Sequence, residues 1–565
     1  MMYYNKKQTA FGICSVIIIL VLFVFEFFPQ IVTEESNNAV SFSKEAGFYE
    51  EEFFLELSAN EGIIYYTLDG SMPDRNSIKY EEPILIYDAS ENENNHSMRT
   101  DVSTGFEADE IERINLEVAP GYEVPDYKID KATIVQAVAY DRLGNKGEVT
   151  AATYFVGYSE KDGYEGMNVL SIVTDPENLF DYENGIYVTG KEYDEYIKEY
   201  RDNGEWCWRE EVWAFWLANY RNRGAKWEKE ALCQFFNADG MMEMSQKCGI
   251  RIHGGASRGY NPKSLNLYAR KKYNGSETFQ IDFWTNGYYP STVTLFQGGN
   301  DYGTKAKDYL IGTEITDLNV SYVNYIPCIM FLNGEYWGVY WLNEKYDKNY
   351  LEHYYGVKKD NVIMIKAGEL EEGEEDDLKY YSKMREYCIE SDLTKEENFQ
   401  KVCEIIDIES YVDYYGLMIY LGRHADWPMG NFALWRTKKE EAGKYGDCKW
   451  RWMVFDLNSA GFTNTIDPVK YTLEQDEMFK NMMTNSTFRE MLITQIEKMI
   501  VKFNYEKMKG KIMEFDKFMA ESMAQNDKRF FGEDSGTVFK KEIKNIEMFF
   551  ENREEYLQTI LQEYK

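Results

Sequence analysis

Histidine is scarce in this chain. There are four in 565 residues (His96, His253, His353 and His424), too few for a histidine-based metal hydrolase. Cysteine is nearly as rare. Cys14 lies in an apolar N-terminal run, and Cys207, Cys233, Cys248, Cys328, Cys388, Cys403 and Cys448 form no C-x-x-C pair and no Cys/His cluster. A zinc site is therefore not expected, and no disulfide framework can be read from the spacings. Positive charge is also short, with 62 Lys and Arg against 97 Asp and Glu, a formal net charge of −35. Nucleic acid is not expected as a partner, because phosphate binding needs clustered Lys and Arg. Such a field keeps the protein soluble and favours basic partners. No G-x-x-x-x-G-K-[ST] loop occurs, which argues against an ordinary P-loop NTPase.

What is present is core-forming material. Hydrophobic residues make up 44% and aromatics 16%, enough to exclude wholesale disorder. The length predicts two or more domains. Residues 10–25 carry no charge, and Phe27 and Phe28 extend the run past Glu26. As a helix, residues 10–28 would span about 28 Å, close to the hydrocarbon thickness. Lys6 and Lys7 precede the run and Glu34 and Glu35 follow it, so the positive-inside rule predicts a single-pass signal anchor. Residues 1–9 would be cytoplasmic, 29–45 a linker, and the bulk of the chain extracytoplasmic. Cleavage of the segment would instead make the protein secreted.

Short β-rich runs follow: GIIYYTLDGSMP ending at the Asp69-Gly70 turn signal, PILIY (83–87), TIVQAVAY (133–140) and EVTAATYFV. Their spacing predicts a small sandwich over 46–157. Between its halves, residues 88–130 hold twelve acidic and three basic residues and read as an acidic insertion with the composition of a mobile loop. Tyr66, Thr67, Asp69, Gly70, Ser71, Pro73 and Tyr80 make this block similar to the chitobiase/β-hexosaminidase C-terminal type of Ig-like module. The resemblance implies a spacer, or a domain lying near cell-wall glycan.

From about residue 165 the pattern becomes mixed α and β. Strands are predicted at 168–174, 248–254, 264–270, 431–437 and 449–456, with a hairpin at 326–342 around Asn333-Gly334. A helix is predicted over 344–356, closed by Gly356, largely helical sequence over 378–424, and helices from about 470 onward. The run EEGEEDD (371–377) reads as a solvated loop.

Chemistry concentrates in RHADWPMGN, where Asp426 and Asn431 are spaced D-x-x-x-x-N, and at Asp456, which ends the apolar run WRWMVFD. Phosphoryl transfer needs a carboxylate near the attacking hydroxyl and oxygen ligands for Mg²⁺, and it takes them in this order along the chain in protein kinases. Each element alone is weak, since Asp456 equally suits a turn or helix cap. Five blocks occur together and in order: RIHGGASRGYNPKSLNLYAR, VTLFQGGNDYGTKAKDYL, FLNGEYWGVYWLNEKYDKNYL, DWPMGNFALWR and KWRWMVFDLNSAGF. They resemble the CotH (spore coat protein H) kinases over roughly residues 165–505.

The resemblance implies an α+β fold: a two-lobed, atypical protein-kinase-like domain at 165–505, preceded by the sandwich and the transmembrane helix, with C-terminal helices at 506–565 packing on it. It also implies an activity, transfer of the ATP γ-phosphate to Ser/Thr of a surface, coat or secreted protein with Mg²⁺. Asp426 matches the catalytic Asp, and Asn431 and Asp456 match the metal ligands. Lys263 matches the basic residue that touches ATP phosphates, with Arg258 assisting and Gly254, Gly255 and Gly259 allowing close backbone approach. Glu344 matches the acidic partner of that lysine, or is a carboxylate favoured by a helix start. Asp301 reads as a turn former. The usual Asp-Leu-Asp is here Asp456-Leu457-Asn458. That departure keeps a second reading open, a non-catalytic surface scaffold. A glycoside hydrolase ranks last, because no carboxylate pair can be assigned.

Overall fold

The computed structural model describes residues 38–102, 124–202, 217–422, 426–460, 462–532 and 536–565. The anchor expected at 10–28 lies outside the described residues, as do residues 1–9 and most of the linker. Among the described residues no helix is long and apolar enough to cross a membrane.

The N-terminal β-domain is built from β1 (Ser41–Phe42), β2 (Gly47–Tyr49), β3 (Phe53–Leu55), β4 (Leu57–Ser58), β5 (Ile63–Thr67), β6 (Ile78–Lys79), β7 (Ile84–Ile86), β8 (Thr133–Tyr140) and β9 (Thr150–Val156). Five strands run in the order β2-β9-β8-β5-β6, with the pairs β1-β4 and β3-β7 beside them. Leu55, Ile86, Val135, Ala137 and Tyr154 fill the space between the layers. The expected turn forms at Asp69-Gly70: Gly70 has φ +84°, and the Asp69 carboxylate accepts the Ser71 N–H at 3.0 Å.

The acidic insertion is not a free loop at its described ends. The buried Glu335 carboxylate accepts N–H groups from Asn95 (2.6 Å) and Ser97 (2.7 Å), and Lys161 pairs with Asp88 (3.0 Å) and Asp130 (3.1 Å). Charge composition suggested mobility, but a buried acceptor in the next domain fastens the segment.

That next domain begins with a seven-stranded closed barrel, β10 (Asn168–Val173), β11 (Lys229–Phe236), β12 (Met242–Ile252), β13 (Leu265–Tyr268), β14 (Thr292–Phe296), β15 (Tyr325–Leu332) and β16 (Glu335–Glu344). Strand order is β10-β11-β12-β13-β14-β16-β15, closed by a parallel pairing of β10 with β15. Closure leaves no open edge. The β15-β16 hairpin turns at Asn333 (φ +47°) and Gly334 (φ +83°), the double positive φ of a two-residue I′ turn. Leu170, Ile250, Leu265, Leu295 and Leu342 belong to one buried cluster with Cys233, Cys248 and Cys328, which are free thiols.

The other half is helical around a four-stranded sheet, β18-β17-β19-β20, made of β17 (Val362–Lys366), β18 (Glu369–Glu372), β19 (Ala433–Thr437) and β20 (Arg451–Met453). The acidic run 371–377, expected as a solvated loop, is exposed over most of its length but contributes to β18 and to a short turn. There the buried Asp377 pairs with Lys438 at 2.9 Å. The helix Ile408–Leu421, capped by Asp407, is buried on every side. The C-terminal helices Tyr505–Phe531 and Thr537–Leu561 share its core. They are tied in at both ends of the domain: Asn526 accepts the Val339 N–H of β16 at 3.1 Å, and the buried Arg553 donates to the carbonyls of Tyr420 (2.6 Å) and Ile419 (2.8 Å).

Candidate active site

Register brings the key residues to one place. In the antiparallel ladder Lys366 lies opposite Ala433, and Ala433 lies opposite Met453. The ends of β17 and β20 therefore meet the start of β19 at a single sheet edge. Asn431 stands two residues before that edge, and Asp456 three residues after it. The D-x-x-x-x-N segment closes on itself, since the Asn431 amide donates to the Asp426 carboxylate at 3.4 Å. Trp427 is buried against Tyr415, ring centroids 5.5 Å apart, and anchors the loop while Asp426 stays exposed. Asn431 and Asp456 both hold left-handed backbone, φ +49° and +61°. Asn and Asp tolerate that region better than other side chains, and such outliers gather at functional sites.

Asp456 is embedded in an amide and carboxylate network. The Asn458 side-chain N–H donates to Asp456, while its carbonyl oxygen accepts the Asn300 N–H at 3.0 Å. That backbone donor sets the orientation of the amide. The buried Asp308 accepts the Leu457 N–H at 2.9 Å and also interacts with the Asn458 side chain. Burial, and then the charge of Asp456, push the Asp308 carboxyl up to about 7. Asp301 accepts from the Thr304 hydroxyl (2.6 Å) and the Lys307 N–H (2.9 Å), which is a turn and helix-start role.

The basic residues expected at the phosphates are occupied elsewhere. Lys263 is fully buried; its ammonium donates to the carbonyls of Arg258 (2.9 Å) and Tyr260 (3.2 Å) and lies 3.9 Å from the Tyr220 ring centroid. Burial holds its pKa well below the usual lysine value. Arg258 donates to the carbonyls of Gly254, Tyr220, Asn222 and Ile252. A buried cation needs such dipoles around it, so both side chains bind the loop that carries them rather than reaching outward. The Gly254 carbonyl also accepts from Arg223 (3.0 Å), and the Gly255 carbonyl from Arg221 (2.7 Å).

Glu344 also departs from expectation. It closes β16 rather than opening a helix, which starts at Lys348 behind the Asp347 cap. Its buried carboxylate accepts from the Asn324 N–H (2.8 Å), the Asn324 amide (2.9 Å) and the Tyr354 hydroxyl, and burial raises its pKa. It is not paired with Lys263, whose partners are loop carbonyls.

A different set of cations acts electrostatically on His253. Burial pushes His253 down to about 3, and the charges of Lys366, Lys345, Arg258 and Arg223 act in the same direction. Lys366 lies 4.4 Å from the Phe455 ring centroid. Its pKa is lowered by desolvation, against the opposing pull of Asp456 and Glu371. Among the described residues, Lys345, Lys366 and Arg223 form no ion pair with a carboxylate of the chain. They come from four segments together with His253, so no linear spacing marks them. The one signal in the sequence was the HGG turn itself.

Among the described residues no three His, Cys, Asp or Glu side chains form a ready metal cage. Magnesium in phosphoryl-transfer sites takes one or two carboxylates and completes its shell with phosphate and water. Asp456, with the amide oxygen of Asn431 leaving the same sheet edge, fits that limited requirement.

Two family models match parts of the chain. A family model described as Fn3 associated matches residues 55–154, the N-terminal β-domain; kinship of that domain to the chitobiase type remains a resemblance. No curated protein matches the chain. A model described as CotH kinase protein matches residues 250–557, more than half of the chain, taking in β13 to β20, the Asp426 loop, Asp456 and most of the C-terminal helices. The chain belongs to the CotH kinase protein family.

Proposed function

We propose that this chain is an atypical protein kinase that transfers the γ-phosphoryl group of ATP to Ser or Thr hydroxyls of a surface, coat or secreted protein. The observation that carries this is the meeting of the Asp426–Asn431 loop and Asp456 at one end of the β17-β19-β20 sheet. Asp426, exposed to solvent, would orient the attacking hydroxyl and accept its proton as the oxygen takes over the phosphoryl group from ADP. Asn431 and Asp456 would hold Mg²⁺, which when bound offsets phosphate charge. The buried Trp427 keeps the base and the amide in fixed relation, so orientation is set before substrate arrives. A net charge of −35 favours basic, hydroxyl-rich substrates. Action outside the cytoplasmic membrane, close to cell-wall glycan, rests on the apolar run 10–28 and on the β-domain.

Asn458 favours a second reading, a non-catalytic scaffold. It takes the place of a charged metal ligand, and its oxygen is already engaged by Asn300. The test is phosphate transfer to a basic Ser-rich peptide, with calorimetry of ATP binding with and without Mg²⁺. Asp426→Ala should abolish transfer without lowering the melting temperature. Transfer at the native rate in that variant would remove Asp426 from the chemistry, and absence of Mg-ATP binding in the native chain would favour the scaffold.

A further inference from the structure

We infer that the β-domain braces the candidate active site: residues 94–102 of its insertion hold the barrel loop 254–263, and Tyr260 joins that loop to the hydrogen-bonded network of Asp456. Tyr187 and Tyr260 are the positioning residues of this brace. The inference rests on the phosphotransferase reading above for the site that the brace serves.

The insertion is fastened at three points. At the β15-β16 hairpin, Glu335 accepts the Asn95 and Ser97 N–H groups. The returning chain binds the same hairpin: the Ala132 N–H donates to the Gly334 carbonyl (2.8 Å), and the Asp130 carbonyl accepts the Tyr336 N–H (2.9 Å). Next, His96 stacks on Phe180 with ring centroids 5.2 Å apart. Finally, Val102 is only 1% exposed and belongs to the barrel's own buried cluster, together with Leu179, Tyr187 and Tyr220. An aliphatic side chain buried in the core of the next domain ties the order of the two domains together. A simple spacer needs no such contact.

From that point a ladder of hydrogen bonds runs to the loop. The Asp101 carbonyl accepts the Thr189 N–H (2.8 Å). The carbonyls of Thr189 and Val188 then accept the N–H groups of Asn219 (2.8 Å) and Tyr220 (3.2 Å). The Tyr220 carbonyl accepts from Arg258 (2.9 Å), which lies in the loop. A second tie is the Tyr187 hydroxyl, which accepts the Lys263 N–H (2.9 Å) and the Trp337 indole N–H (2.8 Å). The Asn261 amide also reaches the Val102 carbonyl, at 3.5 Å. On the other side of the loop the Tyr260 hydroxyl donates to the Asn300 side chain (3.2 Å). The Asn300 N–H donates to Asn458 (3.0 Å), and Asn458 donates to Asp456. Releasing residues 94–102 therefore removes constraints first from the loop and then from the network that orients Asp456.

Amide hydrogen exchange and magnesium calorimetry on the full chain test the brace. Glu335→Gln and Val102→Ala loosen the fastening and alter no residue of the loop or the site. Each should raise exchange in 254–263 by about tenfold or more and weaken magnesium binding by about threefold or more. Val402→Ala, at a buried position of the helical half, controls for lowered stability and should leave both within about twofold of native. Melting temperatures show that the variants fold. Tyr187→Phe should raise exchange most at the Lys263 amide, whose acceptor it removes. Tyr260→Phe separates the two steps: the loop keeps native exchange while magnesium binding weakens. Exchange in 254–263 no higher in both fastening variants than in Val402→Ala overturns the brace. So does an unchanged magnesium affinity in both, or no magnesium binding by the native chain. If exchange and magnesium affinity shift as expected but the native chain never phosphorylates a peptide, the brace stands and the kinase reading falls. If the native chain transfers phosphate and both fastening variants keep its magnesium requirement, the kinase reading stands and the brace falls.

Discussion

Replacing Asn458 by Asp gives the Asp-Leu-Asp that the CotH resemblance implies at almost no change in volume, so its effect isolates electrostatics. At present the Asn458 amide lies between two carboxyl groups, donating to Asp456 and interacting with Asp308, while its oxygen accepts the Asn300 N–H. The position is buried, at 4% exposure. In Asn458→Asp the oxygen can still serve Asn300, but the donor is lost and a third carboxyl group faces the other two. Two like unit charges about 4 Å apart at an effective dielectric near 20 repel by about 4 kcal/mol. Loss of the donated bond to a carboxylate adds about 1.5–3 kcal/mol, and relaxation or proton uptake by the cluster returns part of the total. A net destabilisation of about 3–5 kcal/mol is expected in EDTA.

A divalent cation reverses the sign of that repulsion. At a concentration about a hundredfold above its Kd, Mg²⁺ would return about 2.7 kcal/mol. The assay is thermal unfolding of native chain and variant in EDTA and across a magnesium series, with calcium as a second ion. The variant should melt several degrees lower than the native chain without metal, and should gain more from magnesium than the native chain does. An unchanged melting temperature in EDTA, or a magnesium response no larger than native, would show that Asn458 does not hold the carboxylates together as described.

The remaining predictions concern the two buried charge clusters that carry structure. Burial alone would raise the Glu228 carboxyl, but hydrogen bonds and charge from Arg270 and Arg251 overcome it and hold the pKa at about 2, against 4.5 for a free glutamate. A carboxylate with a lowered folded pKa stabilises above its unfolded value, and the contribution, at most about 3 kcal/mol, is lost as pH falls from about 4.5 toward 2. Urea midpoints measured from about pH 5 to 3 should therefore fall less steeply in Glu228→Gln than in the native chain, and parallel slopes would refute the assignment. Lys263→Met leaves the carbonyls of Arg258 and Tyr260 without their donor. It should cost about 1–3 kcal/mol of stability while leaving Mg-ATP affinity unchanged in the folded protein. A selective loss of nucleotide binding would return Lys263 to the phosphates.

Local patterns were legible wherever one residue dictates geometry. Asn333-Gly334 specified a turn with two positive φ angles, and the hairpin of β15 and β16 formed around it. Alternation in TIVQAVAY placed β8, and Gly356 ended its helix in left-handed backbone at φ +67°. Strand β11 was missed because KEALCQFF has no alternation and no turn signal ahead of it; pairing on both sides, with β10 and β12, decides its state. Barrel closure was invisible for the same reason. It depends on the parallel contact of β10 with β15, strands more than 150 residues apart in the chain.

The candidate site divides along the same line. Asp426 and Asn431 sit in one short loop, so their spacing alone implied proximity, and the side chains do touch. Asp456 was reachable because it ends a strand whose register fixes where it emerges. The cations were not reachable in that way. A lysine beside a glycine-rich turn looks like a phosphate ligand in linear sequence, yet Lys263 points inward and is solvated by carbonyls of its own loop, and Arg258 is held the same way. A sequence cannot tell a cation that stabilises a loop from one that faces solvent, because both satisfy the same composition. What distinguishes them is whether the surrounding dipoles are already used. By that criterion Lys263 and Arg258 are already satisfied by carbonyls of their own loop, and Arg223 is held in the same way by the Gly254 carbonyl.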